Sequence, residues 1–169
     1  MFIMGNSAGG LHLGTFLLDQ RFLDVRKGLL GGEAALVWKG AVEVGVPFHF
    51  GAAGKERNGM LRNYYGDEEE VREKAPLGLL NVLGKEGKSR EEAHVPRVLV
   101  LESEFDPEEI TKPTKDFVEL WKKAWNDRIE LWTMEGHNHI SPTGALMTGD
   151  KEGEKWGEDV VRWMNNLSS

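Results

Sequence analysis

The sequence predicts an α/β fold with a mainly parallel sheet and flanking helices, and three observations predict it. Short apolar runs alternate with segments of helical periodicity along the chain, as in strands joined by crossover helices. Val98-Leu99-Val100-Leu101 is continuously apolar, the mark of a strand buried on both faces of a parallel sheet. Phe2-Ile3-Met4 passes through Gly5-Asn6-Ser7-Ala8-Gly9-Gly10 into a helix-compatible stretch, Leu11 to Leu18. That last arrangement reads as strand, sharp turn, helix.

Length and composition set the bounds. The 169 residues suit one domain, and 40% hydrophobic with 29% charged residues is an ordinary globular balance. A net charge of −7 argues against a nucleic-acid surface or an anionic membrane as partner, since phosphates demand clustered Lys and Arg. With no cysteine, disulfides, thiolate metal sites and Cys nucleophiles are excluded. No apolar run reaches the length of a membrane span, and the first residues lack the features of a signal peptide. The expected location is cytoplasmic.

In chain order, Leu11, Phe16, Leu17 and Leu18 give the first helix its apolar content, and Gly10 and Gly14 favour close packing on a sheet. Residues 19 to 35, with Gly28 and the pair Gly31-Gly32, read as connection with at most a short helix. Leu36 to Val44 is a strand candidate, ended by Gly45 and Pro47. Lys55 to Tyr65 reads as a helix. Asp67 is the expected N-cap of a second helix, Glu68 to Lys74, stopped by Pro76. Leu77 to Leu83 is a short apolar patch, and Gly84 to Ala93 a charged surface loop. The stretch 51–94 is thus the place for a substrate-covering insertion in a single partial domain spanning 1–169; a solvated connection with small helices is the plain alternative. The strand beginning at Arg97 is expected to give way to an acidic loop, Glu102 to Pro107. Pro113 is expected to open a helix in which Phe117, Leu120, Trp121, Ala124 and Trp125 recur at three- and four-residue spacing. Ile129 to Met134 is the last strand candidate. The final helix, about Glu154 to Leu167, aligns Trp156, Val160, Trp163, Met164 and Leu167.

In parallel sheets of this kind, reactive groups gather at the carboxyl ends of the strands. Ser7, Asp106 and His139 each follow a strand candidate. The pattern Gly5-x-Ser7-x-Gly9, set between strand and helix, is the context of a nucleophile elbow. There the Ser takes a strained backbone conformation, and the chain passes so close on both sides that only small residues fit. A Ser hydroxyl becomes a nucleophile when an imidazole accepts its proton, and a carboxylate fixes the tautomer of that imidazole. Each residue has a plainer reading. Ser7 alone is also a turn Ser capping backbone N–H groups. Asp106 before Pro107 is also a helix cap, with Glu102 or Glu104 as the acid. His137 and His139 form a His-x-His pair, which without a third well-spaced ligand is a poor metal site.

Gly5-Asn6-Ser7-Ala8-Gly9-Gly10, Glu104-Phe105-Asp106-Pro107 and Gly136-His137-Asn138-His139-Ile140-Ser141 together resemble the C-terminal half of α/β-hydrolases of the esterase and kynurenine-formamidase-like type. The resemblance implies a truncated α/β-hydrolase starting at the elbow strand, with Ser7 as nucleophile, Asp106 as acid and His139 as base. Its His-apolar-Ser pattern, His139-Ile140-Ser141, favours His139 over His137. It implies Ala8 as one oxyanion donor, with Asn6 beside it, on a small ester or amide substrate, and no cofactor or metal. A second donor normally comes from a His-Gly-Gly loop before the elbow, and no such loop precedes Gly5 in this sequence. Losing one donor typically costs about 10²–10³-fold in turnover. The strand Phe2 to Met4 is then expected at a sheet edge with unpaired backbone groups. A fragment of a longer product, pairing across that edge with a second copy or a partner chain, and a repurposed half-domain are the three expectations that follow.

Overall fold

The computed structural model describes residues 1–31 and 37–168. Gly32 and Leu36, which figure in the expectations above, lie outside the described residues. Among the described residues, four parallel strands form one sheet in the order β1 (Phe2–Asn6), β2 (Gly40–Val44), β3 (Arg97–Phe105) and β4 (Glu130–Asn138). Every pair is parallel, so each connection crosses over and the carboxyl ends of all four strands lie on one side of the sheet.

Side chains alternate across β3 with a period of two. Val98 and Val100 enter one apolar core, and Leu99 and Leu101 enter a second on the opposite face. The first core is built with α1 (Ala8–Leu18), α5 (Pro76–Lys85) and α6 (Glu108–Trp125). Phe117, Val118 and Trp121 of α6 meet Leu80 and Leu83 of α5 there. The second core is covered by α8 (Lys151–Asn166), which contributes Trp156, Val160 and Trp163 against Val42, Val44 and Met134. The aromatic stripes of the last two long helices are therefore core faces, as their spacing requires. The remaining helices are α2 (Leu23–Gly31), α3 (Asn58–Tyr65), α4 (Glu68–Lys74) and α7 (Ser141–Ala145).

Several boundaries differ from the sequence reading. β3 continues through the acidic residues to Phe105, because β4 also extends and keeps pairing with it, Glu102 opposite Thr133 and Phe105 opposite Asn138 across an irregularity. Helix α6 starts at Glu108 rather than at Pro113, which lies inside it. Ile110, 4% exposed, anchors that extra turn in the core, and the N–H groups of Ile110 and Thr111 both donate to Pro107 O. Residues 77–83 form most of α5, with Pro76 at its first turn, where a missing N–H costs nothing. Lys151 opens α8 one turn earlier than expected, because Asp150 caps it by accepting from Glu152 N–H.

The chain between β2 and α5 makes a closed excursion. It leaves beyond Phe48, whose ring stacks on Phe117 at 3.9 Å, and returns at Leu77, whose N–H donates to Phe48 O at 3.0 Å. Within it, Asp67 accepts from Glu69 N–H and Glu70 N–H while Glu70 accepts from Asp67 N–H, a complete capping box for α4. The expected cap is the observed one. Among the described residues β1 pairs only with β2 and forms an edge of the sheet, with Met4 47% exposed on it. No described helix is long and apolar enough to cross a membrane.

Candidate active site

The turn at Ser7 joins β1 to α1. Ser7 has φ 49° and ψ −116°, a conformation an L residue holds only when its surroundings impose it. Two contacts impose it: Ser7 N–H donates to Val44 O of β2 at 2.8 Å, and Leu11 N–H donates to Ser7 O at 3.0 Å. The need for small residues is real but unevenly placed. A Cβ on Gly5 would stand 2.6 Å from Gly10 Cα, and one on Gly10 would stand 2.2 Å from Val46 Cγ2. A Cβ on Gly9 would meet nothing within 4 Å. Close approach therefore constrains Gly5 and Gly10, while Gly9, the second glycine of the pattern, meets no described residue.

His139 follows the last residue of β4, and Asp106 the last residue of β3. The structure brings both to Ser7. His139 Nε2 lies 2.9 Å from Ser7 Oγ, and His139 Nδ1 lies 2.7 Å from Asp106 Oδ1. An ionised carboxylate only accepts, so Nδ1–H donates to Asp106 and Nε2 is left to accept from the Ser7 hydroxyl. The Asp106 side chain is fully buried and its second oxygen accepts from Ser103 N–H at 2.7 Å, while the imidazole is 28% exposed. The His139 loop is fastened by Asn138 Oδ1, which accepts from both Ile140 N–H and Ser141 N–H at 3.0 Å.

The alternatives are placed elsewhere. Both ring nitrogens of His137 are engaged, with Ser141 Oγ at 3.0 Å and Gly153 O at 3.1 Å, which ties the β4 end to α8. Glu104 accepts from Gly136 N–H at 2.8 Å, bracing the β4 bend. Glu102 is half-buried and its carboxyl is pushed up by desolvation, with the nearby Asp106 charge adding to the effect against Lys115. Asn6 ends β1, one residue before Ser7. Ala8 opens α1, and helix geometry leaves the N–H groups of Ala8, Gly9 and Gly10 without intrahelical acceptors.

Two residues that sequence reasoning passed over stand close to this group. Glu43 is fully buried within β2, opposite Gly5 of β1. Among the described residues its carboxyl oxygens have no hydrogen-bond partner, and burial pushes the carboxyl well up. Gly10 and Gly14 of α1 make its space: a Cβ on either would lie 2.8 Å or 3.5 Å from a Glu43 oxygen. The signal available was a lone acid inside an apolar strand. Gly45, read only as a turn residue, has φ +56°, and a Cβ there would lie 3.1 Å from both Nδ1 and Cε1 of His139.

A cavity of about 690 Å³ lies between the 51–94 stretch and the core, lined by Phe50, Leu61, Val71, Leu77, Arg72 and Leu120 among others. Neither Ser7, Asp106 nor His139 lines it. It borders His49, whose Nε2 bonds Asp116 of α6 at 2.9 Å.

No protein-family model and no curated protein sequence matches the chain. Solved structures do. The chain is similar to esterase B from Lactobacillus rhamnosis, at 13% identity and a TM-score of 0.63 over 99% of this chain and 52% of that one. It is similar to an arylesterase, at 16% identity and 0.58, over 98% of this chain and 51% of that one. A third match is S-formylglutathione hydrolase from Staphylococcus aureus, at 16% identity and 0.53, over 99% and 51%. The chain spans about half the length of these structures. At such identities the likeness establishes the fold, that of the α/β-hydrolases.

Proposed function

We propose that this chain carries the nucleophile, base and acid of a serine hydrolase of carboxylesterase or amidase type, acting on a small ester or amide. The observation that supports this reading is the hydrogen-bonded series Ser7–His139–Asp106, with 2.9 Å and 2.7 Å links, at the carboxyl ends of three parallel strands. In this reading Ser7 Oγ attacks the substrate carbonyl carbon while its proton passes to His139 Nε2. The imidazolium so formed is stabilised through Nδ1–H by the buried Asp106 carboxylate. Ala8 N–H, at the positive end of α1, faces the negative charge that develops on the carbonyl oxygen, with Asn6 at the mouth of the turn. His139 then returns its proton to the leaving alcohol or amine, and the acyl group remains on Ser7 until water, deprotonated by the same imidazole, removes it. No step calls for a metal or cofactor.

The test is covalent labelling with a fluorophosphonate, read by intact mass. One adduct is expected on the native chain and none on Ser7→Ala. An unlabelled native chain, or an adduct that persists in Ser7→Ala, would remove the reading.

A second reading rests on a different observation, the edge position of β1 in a chain aligned to about half of each similar structure. In it the chain is a weak or inactive relative that works by association across that edge. Full turnover of a p-nitrophenyl ester by a monomer at micromolar concentration would exclude it.

A further inference from the structure

We propose that Gly45 is a positioning residue for the imidazole of His139, a proposal that rests on the serine-hydrolase reading for its effect on turnover but not for its geometry. Gly45 terminates β2 and is fixed on both sides. Its own N–H donates to Leu101 O of β3 at 2.8 Å, and the preceding carbonyl, Val44 O, accepts from Ser7 N–H at 2.8 Å. The same short piece of backbone therefore sets the strained turn at Ser7 and faces the ring that serves it. A Cβ on Gly45 would stand 3.1 Å from both Nδ1 and Cε1 of His139 and 3.7 Å from Asp106 Oδ2. The Nδ1–Cε1 edge of the imidazole thus lies against bare backbone.

The ring has little freedom to yield. Nε2 is held to Ser7 Oγ and Nδ1 to Asp106 Oδ1, so any tilt that relieves a methyl at position 45 lengthens one of these bonds. The Asp106 carboxylate cannot follow, because the side chain is fully buried and its Oδ2 accepts from Ser103 N–H. The backbone of Gly45 cannot retreat without breaking its bond to Leu101 or disturbing the acceptor of Ser7. The absence of a side chain at this one position is what lets the imidazole reach both partners at once.

Gly45 also has φ +56°, so Gly45→Ala carries backbone strain besides the contact. Gly87→Ala supplies the control: Gly87, at the end of α5, has φ +67° and nothing within 4 Å of a Cβ. The experiment measures kcat and KM for a p-nitrophenyl ester, and the pH profile of kcat/KM, in the full chain and in both variants. Gly45→Ala is expected to lose about 10- to 100-fold in kcat with KM within about twofold. The acid limb of its profile is expected to move to lower pH, because a weakened Asp106 bond stabilises the imidazolium less. Gly87→Ala is expected to match the native chain. A Gly45→Ala enzyme with native kcat and pH profile, or an equal loss in Gly87→Ala, overturns the proposal.

A stability cycle reads the same contact without turnover. Gly45→Ala is expected to lower the melting temperature less in a His139→Ala background, where the methyl has room, than in the native background. Equal losses in the two backgrounds overturn the proposal. If the native chain neither labels nor turns over, the hydrolase reading fails, and this cycle still decides the role of Gly45. The cycle also serves if Gly45→Ala alone does not fold, since the double variant is then expected to recover folding and its failure to do so counts against the proposal.

Discussion

Glu43 sits between Val42 and Val44 in β2 with its carboxyl under the elbow helix and, among the described residues, no charged neighbour to offset its burial. Its pKa in the folded chain is raised above the ordinary 4.5, so the folded state holds a proton that the unfolded state releases. The contribution of Glu43 to stability therefore falls as pH rises above about 4.5, by about 1.4 kcal/mol per pH unit for one proton, until the folded carboxyl itself titrates. Glu43→Gln, which keeps the shape and never ionises, is expected to remove this slope. Urea unfolding of both chains from pH 4 to 8 checks it, and a stability difference that stays flat with pH would contradict the assignment. The grouping of Ser7, Asp106 and His139 was legible because residue type and chain order alone brought the three together as candidates. Glu43 and Gly45 were not legible in that way. Glu43 showed only as a lone acid in an apolar strand and Gly45 only as a turn residue; that they lie against Gly10 and His139 is a matter of contacts between segments far apart in sequence, which spacing does not announce.

Elements were readable where the signal was local. Asp67 with Glu70 three residues on is a self-contained capping statement, and the box forms as written. Asp67→Ala is expected to cost about 1 kcal/mol locally, seen as roughly fivefold faster amide exchange in α4 with the strand amides unchanged. Asp67→Ser is expected to keep most of the protection, and equal exchange in Asp67→Ala would show that tertiary contacts alone hold the helix. Boundaries set by partners were misread. Nothing in Glu102-Ser103-Glu104 favours a strand, yet β4 continues beside it and the ladder carries it to Phe105. Pro113 looked like a helix start by local rule, but burial of Ile110 before it places the start a turn and more earlier. The apolar patch after Pro76 is a helix because Leu80 and Leu83 are needed between α1 and α6, a demand visible only in the assembled core.

At the scale of the molecule, the alternation of strands and helices was enough to expect the parallel sheet, because each apolar strand needs cover on both faces. The open side of β1 is the feature that bears on behaviour in solution. A strand with an exposed Met4 and, among the described residues, one unpaired row of backbone groups is a template for another chain. We expect concentration-dependent association of the native chain at micromolar levels by light-scattering-coupled sizing. Met4→Lys, which places a charge on that edge, is expected to shift it toward monomer. A native chain that stays monomeric throughout, or a Met4→Lys chain that associates as strongly, would turn attention from β1 to another surface.

The bond between Leu77 N–H and Phe48 O has a consequence for how this molecule can vary. It brings the two ends of the stretch from 49 to 76 into contact, with β2 on one side of the junction and α5 on the other. A loop whose ends already meet adds little closure entropy when its length changes. Changes of length at the exposed positions of that stretch are therefore expected to reshape the cavity above α5 and α6 while leaving Val44, Gly45 and the Ser7 turn where they are, so long as Leu61, Tyr65, Val71 and Ala75 keep their places in the core.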